Sequence, residues 1–216
     1  MSNGYRFIDS LRRIAPYIAM LFFAVFPRLL LAPLLLRICA SFSIGYDLGT
    51  SFFLFASVGF SVGLLISGYI AHILNHQNTI TLGAVATGLA LICGALASRV
   101  LFFQLCMLVM GFSNGLYHGS GISRVTQIVP ESHRTRALSF HETGSMSAFV
   151  LAPLISASAA PLISWRGVLA LTGLITIISA LLFRKRPDVD GGYGTSPRLI
   201  NIRRFSRIPS YWIVLS

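Results

Sequence analysis

The chain has 216 residues, of which 55% are hydrophobic and only 11% charged, with a mean hydropathy of +0.76. A soluble domain carries about 25% charged residues, so this composition argues against a water-soluble enzyme and names lipid as the solvent. The formal net charge of +11 is not a nucleic-acid footprint, because the arginines sit in short clusters between apolar runs and do not interleave with aromatics along one surface.

In chain order, windows of about 20 apolar residues, the length that crosses the hydrocarbon as a helix, predict six spans: Ile14–Leu36, Leu48–Ala71, Ile80–Ala97, Val100–Ser123, Ala137–Ala160 and Gly167–Phe183. Arg12 and Arg13 precede the first run, but its 23 residues exceed the 7–15 of a cleavable signal core, so it reads as a retained helix. Polar breaks separate the spans at Gly45-Tyr46-Asp47, Asn75 to Asn78, Ser98-Arg99, Pro130-Glu131-Ser132 and Trp165-Arg166. The expected division is a cytoplasmic N-terminus over 1–13, a six-helix bundle over 14–183, a basic cytoplasmic loop over 184–209, and the start of an incomplete seventh helix over 210–216. Cys39, Cys93 and Cys106 are odd in number and lie in or beside apolar runs. They read as free buried thiols, and no Cys/His set has metal-ligand spacing.

The basic residues give an orientation. With the N-terminus in the cytoplasm, inner segments carry Arg6, Arg12, Arg13, Arg124, Arg134, Arg136, Arg184, Lys185, Arg186, Arg198, Arg203, Arg204 and Arg207, while outer ones carry Arg37, Arg99 and Arg166. Excess Lys and Arg mark the cytoplasmic side, so the expectation is a multi-pass protein of the inner or plasma membrane.

Small residues recur every four positions: Gly59, Gly63 and Ser67; Gly111, Gly115, Gly119 and Ser123; Gly144, Ala148, Ala152, Ser156 and Ala160. Such a period draws a stripe along one helix face, where backbones approach closely in lipid. Each stripe is either static packing within the bundle or a sliding face against a second bundle; static packing is favoured for the Gly111 stripe. Ionisable residues inside spans are few and costly: Arg28, His118, His141 and Glu142. His118 and Glu142 each lie 12 residues from Pro130 on antiparallel helices, so Tyr117, His118, His141 and Glu142 should form one polar cluster. That cluster either passes protons or leaves Glu142 as an anchor paired with Arg134, Arg136 or His118. Arg28, between Pro27 and Pro33, either attracts an anionic group from a wet cavity or pairs with Asp47. There is no phosphate-cradling loop, nucleophile elbow or other catalytic constellation, and no cofactor is implied.

These passages resemble the N-terminal half of a major facilitator superfamily transporter, particularly the fosmidomycin-resistance-type efflux branch. The run from Arg28 to Leu35 looks like that branch's first helix. Gly115-Leu-Tyr117-His118-Gly-Ser-Gly121 resembles its Tyr-His-Pro-x-Gly segment, with Gly119 in place of proline. The stretch from Pro130 to Gly144 is similar to its loop and fifth-helix entry. Ala152-Pro153-Leu-Ile-Ser156-Ala157 resembles the antiporter motif Gly-Pro-x-x-Gly-Gly, and Trp165-Arg166-Gly167 the Trp-Arg before helix six. The signature loop between helices two and three departs from the family: Gly68 is kept, but His72, Ile73, Asn75, His76 and Gln77 stand where an acid and fixed cations are usual.

The resemblance implies an all-α membrane protein, a six-helix transmembrane bundle forming one half of a major facilitator fold with a 3+3 inverted repeat. It further implies a secondary, proton-coupled transporter of a small organic solute, with lipid as its solvent and a homodimer mate or C-terminal half as partner. The alternative is a truncated or decayed half-transporter that inserts without activity. Gly59, Gly63, Gly68, Gly111, Gly115, Gly144, Ala152 and Pro153 are then the packing and gating positions, and Arg28, Tyr117, His118, His141 and Glu142 the substrate and proton pathway.

Overall fold

Backbone groups in lipid must find partners within the chain. The described residues of this computed structural model, 7–186 and 192–194, accordingly form α1 (Phe7–Phe42), α2 (Tyr46–Leu74), α3 (His76–Ala95), α4 (Val100–Ile128), a 3-10 turn (Glu131–His133) and α5 (Arg134–Arg184), with no strand among them. The expected segments at 1–6, 195–209 and 210–216 lie outside the described residues. α1 begins before the expected Ile14 and runs unbroken through Pro16, Pro27 and Pro33. At 1.5 Å per residue it is about 54 Å long, so both its ends extend beyond the hydrocarbon layer.

α5 holds the expected fifth and sixth helices, divided at Ser164 (φ 63°, ψ 162°) rather than at Trp165-Arg166, which are helical. The α2–α3 junction is likewise narrower than expected: Asn75 alone breaks the helix (φ 66°, ψ 165°), and its side chain accepts from Asn78 N at 2.8 Å. Among the described residues, five helical segments are long and apolar enough to span a membrane: α1, α2, α3, α4 and Leu162–Arg184. The first arm of α5, 134–163, is the expected fifth span and is not among them. His141, Glu142, Thr143, Ser145 and Ser147 lower its hydropathy, yet it packs along α1 through the same layer, from Phe7 against Phe140 to Gly144 against the Ile18 carbonyl.

The packing shows the inverted repeat that the sequence carries only as a helix count. α2 lies on α4 and the first arm of α5 lies on α1, two pairings that interchange when helices one to three are exchanged with four to six. α3 and the second arm of α5 cross on a mutual contact. A Cβ on Gly88 would stand 2.5 Å from the Gly173 carbonyl oxygen, and one on Gly173 would stand 2.5 Å from that of Gly88. The same 85-residue offset, 88 to 173, relates Gly59 (pressed on α4) to Gly144 (pressed on α1). Asn75 and Ser164 share one unusual backbone conformation at corresponding junctions.

Two apolar clusters fill the bundle. One end is packed around Phe52, Phe103, Trp165 and the C-terminal half of α1; the other around Ile14, Tyr17, Tyr117 and Phe183. At the first end Arg166 Nη1 donates to the Ala95 carbonyl (2.6 Å) and the Ala97 carbonyl (2.7 Å), and its guanidinium lies 4.5 Å from the Trp165 ring centre. It thereby satisfies carbonyls left open where α3 ends. At the opposite end, where the resemblance anticipates a charged latch, backbone of 192–194 bridges α2 and α3. His76 N donates to Gly192 O (2.9 Å), Gly194 N to Ala71 O (3.0 Å), and His72 Nδ1 to Gly194 O (3.0 Å). Cys39 and Cys106 are buried, but Cys93 is exposed on α3, a correction to the expectation of three buried thiols.

Candidate functional site

Arg28 sits in the wall of a cavity of about 410 Å³ enclosed by α1, α2, α4 and the first arm of α5. Its Nη2 donates to Ser57 Oγ at 2.9 Å, and its guanidinium lies 5.9 Å from the Phe60 ring centre. Among the described residues no carboxylate is paired with Arg28. The alternative of an Arg28–Asp47 ion pair finds no contact, because Asp47 lies in the first turn of α2 at the far end of the bundle. A cation in this layer needs water or an anion, and the cavity supplies the room for either.

Four polar side chains, Arg28, Asn114, His118 and Ser145, share this cavity with apolar neighbours that include Phe60 and Phe149. That mixture, mostly apolar with a few converging polar groups, is typical of small-molecule sites. Asn114 Oδ1 accepts from Thr87 Oγ1 (3.1 Å), which ties α4 to α3 and turns the amide nitrogen away from Thr87. The Asn114 carbonyl accepts from His118 Nδ1 (3.1 Å), so the neutral ring keeps Nε2 as its acceptor. Sequence reasoning passed over Asn114, Ser57 and Ser145. The available signal was an uncharged amide one helical turn before His118 inside an apolar run.

The expected cluster of Tyr117, His118, His141 and Glu142 does come together, in a definite order. Tyr117 is buried, and its hydroxyl donates to the Tyr17 carbonyl of α1 at 2.6 Å. Having one proton, the hydroxyl must accept at the 2.9 Å contact with His141, so His141 Nε2 is the donor. This fixes the tautomer and leaves His141 Nδ1 as the ring position able to gain a proton. Nδ1 faces Glu142 Oε1 at 3.6 Å. Glu142, half-exposed, shares a helix face with Ser145 and Phe149 of the cavity wall, at positions i, i+3 and i+7. His118 stands beside this chain, edge-on to the Tyr117 ring at 6.0 Å between centres. Two of the three alternative anchors for Glu142 are engaged elsewhere: Arg134 with Glu131 and the Thr126 carbonyl, Arg136 over the Phe7 ring.

The small-residue stripes are occupied inside the bundle. Gly59 and Gly63 press on the backbone of Leu108 and Phe112, and Gly111 and Gly115 on that of Ala56, Phe60 and Leu64. Gly144 meets Ile18, and Ala148, Ala152 and Ser156 are buried. The stripes of α2 and α5 are thus covered by α4 and α1 and present no sliding face. Gly68 lies under Gly194, and Pro153 is exposed on α5.

A helical bundle whose apolar segments are long enough to cross a bilayer several times, around a mostly apolar cavity, defines an integral, multi-pass membrane protein. The sequence profile described as Major Facilitator Superfamily matches residues 17–216, and the chain belongs to that superfamily, whose members are transporters rather than enzymes. Among solved structures, a bacterial homolog of the human lysosomal transporter Spinster, in an inward-facing and unoccupied conformation, superposes with a TM-score of 0.76 at 16% identity, over 97% of this chain and 51% of that one. That likeness shows the fold, one half-bundle of the superfamily, and this chain spans about half the length of its structural relative. A search of curated proteins gave no match.

Proposed function

We propose that this bundle forms one wall of a proton-coupled secondary transporter for a small organic solute bearing an anionic group, an antiporter of the fosmidomycin-resistance efflux type. The observation that carries the reading is the cavity shared by Arg28, Asn114 and His118, beside a proton-accepting pair at His141 and Glu142. Arg28 attracts the anion, and Asn114 and Ser145 orient it. A proton taken up at His141 Nδ1 is held against the Glu142 carboxylate, while Tyr117 keeps the ring aligned. The opposite wall comes from a second copy or a further bundle, and the N-terminus faces the cytoplasm. The competing reading, insertion without transport, rests on His72, Ile73 and Gln77 replacing the acid and cations of the signature loop.

Proteoliposomes with an imposed pH gradient separate the two. Gradient-driven movement of fosmidomycin, reduced at least tenfold by both Arg28→Ala and Glu142→Gln, supports the proposal. Wild-type rates in Glu142→Gln end the relay, and loss of anionic and neutral solute alike in Arg28→Ala ends the anion role. A wild-type chain that inserts but moves neither solute establishes the competing reading.

A further inference from the structure

The cavity around Arg28 holds three polar atoms that bond to no described residue, and each has a defined hydrogen-bonding sense. His118 donates from Nδ1 to the Asn114 carbonyl at 3.1 Å, so Nε2 of the neutral ring can only accept. The ring is partly buried in the cavity wall, and no described residue bonds to Nε2. Asn114, 4% exposed, accepts from Thr87 through Oδ1, which leaves its amide nitrogen as a donor. Ser139, Thr143, Ser147 and Ser158 of α5 return their hydroxyls to carbonyls one turn back, whereas Ser145, in the cavity wall, makes no such bond. No carboxylate lines the cavity among the described residues. The wall therefore offers donors from Arg28 and Asn114, one hydroxyl, and a single nitrogen that accepts and cannot donate. Arg28 and His118 both border Phe60, with the guanidinium 5.9 Å and the imidazole 5.0 Å from its ring centre, so one small molecule can reach both.

We infer that the solute carries a hydroxyl or N–H a few atoms from its anionic group, and that this donor binds His118 Nε2. The inference rests on the proposed role of Arg28 as the anion's partner. It narrows the solute from small organic anions to hydroxy acids and their N–H counterparts, and makes His118 a specificity-determining residue. A solute without the donor covers Nε2 with carbon and strips it of water, leaving the acceptor unpaired in an apolar wall. Sites that hydrogen-bond a substrate O–H or N–H reject the analogue lacking it far more strongly than pockets that sort by size. The volume of about 410 Å³ equals about fourteen waters at ~30 Å³ each, room for an aromatic hydroxy acid against Phe60 and Phe149.

The test uses the full chain in neutral detergent at about pH 8, above the ordinary imidazole range. Equilibrium binding is measured for phenyllactate, for its isomer with the hydroxyl one carbon further from the carboxylate, and for hydrocinnamate, which has no hydroxyl. At least one hydroxy acid should bind about tenfold or more tighter than hydrocinnamate, even though hydrocinnamate is the more apolar and gains more from simple partitioning. The preference should vanish in His118→Phe, which keeps Arg28. Nitrogen NMR of the histidine-labelled wild-type chain reads the same contact without a variant: the preferred hydroxy acid should move an unprotonated ring nitrogen, and hydrocinnamate should not. Equal binding of the three acids to wild type, an undiminished preference in His118→Phe, or a ring nitrogen left unmoved overturns the inference; the anion role survives if Arg28→Ala weakens all three acids. If no acid binds the wild-type chain, or Arg28→Ala leaves all three bound, the anion role fails and the inference fails with it.

Discussion

Replacing Tyr117 by Phe removes one oxygen from a junction of three helices and tests the ordered chain that ends at Glu142. The hydroxyl donates to Tyr17 O of α1 and accepts from His141 Nε2 of α5 at 2.6 and 2.9 Å, and both Tyr117 and His141 are buried. A neutral hydrogen bond between membrane helices averages about 0.6 kcal/mol and reaches about 1.7, whereas a buried donor left without any partner costs about 1–3 kcal/mol. The stranded donor is the larger effect here, because His141 Nε2–H has no other acceptor once Tyr117 is Phe. Tyr117→Phe should therefore cost about 2 kcal/mol in equilibrium unfolding in mixed micelles. Tyr117→Phe/His141→Phe removes donor and acceptor together and should cost less than the sum of the single changes by about 1 kcal/mol. Additive losses, or a Tyr117→Phe chain within 0.5 kcal/mol of wild type (roughly the noise of a surface change), would falsify the Tyr117–His141 hydrogen bond on which the ordered chain rests.

Ser164 and Asn75 hold a backbone region populated almost only by glycine, at a cost of about 1–3 kcal/mol each, so Ser164→Gly should raise stability by about 1 kcal/mol in the same unfolding assay. Arg166→Ala strips two carbonyls at the end of α3 and the stacking on Trp165; a loss of about 2–4 kcal/mol is expected, and Arg166→Lys should recover only part of it. Gly111→Val places a side chain on the backbone of Ala56, which must push α2 off α4; near-complete loss of folded protein by size-exclusion in detergent is the expected result. Reporters fused after Glu131 and after Trp165 should land in opposite compartments, cytoplasmic and external respectively, in line with the arginine distribution.

The helix layout was legible because lipid permits so few backbone solutions, and a charged residue in an apolar run stands out for the same reason. Arg28, His118, His141 and Glu142 were visible individually, and the antiparallel spacing about Pro130 anticipated that the last three would meet beside Tyr117; that Arg28 shares a cavity with His118 was not anticipated. Partner choice was not legible. That Tyr117 gives its proton to a main-chain carbonyl on α1, or that Arg166 closes α3 rather than ending a loop, depends on which backbone oxygens the tertiary fold brings near. Neutral polar residues such as Asn114 and Ser145 were lost among many serines and amides. The first arm of α5 shows the opposite problem: its polar face, which makes it part of the cavity, also removes it from the set of clearly apolar spans.

The crossing of Gly88 and Gly173 couples the two halves of the repeat at one point. Two identical three-helix polypeptides paired about a twofold axis would place one glycine against its own copy, so a single codon change would strike the contact twice and force both backbones apart. In a single chain each position has its own codon, so a change at one glycine leaves the other untouched. Even so both positions are glycine here, and a methyl group on either side would meet the other's carbonyl oxygen.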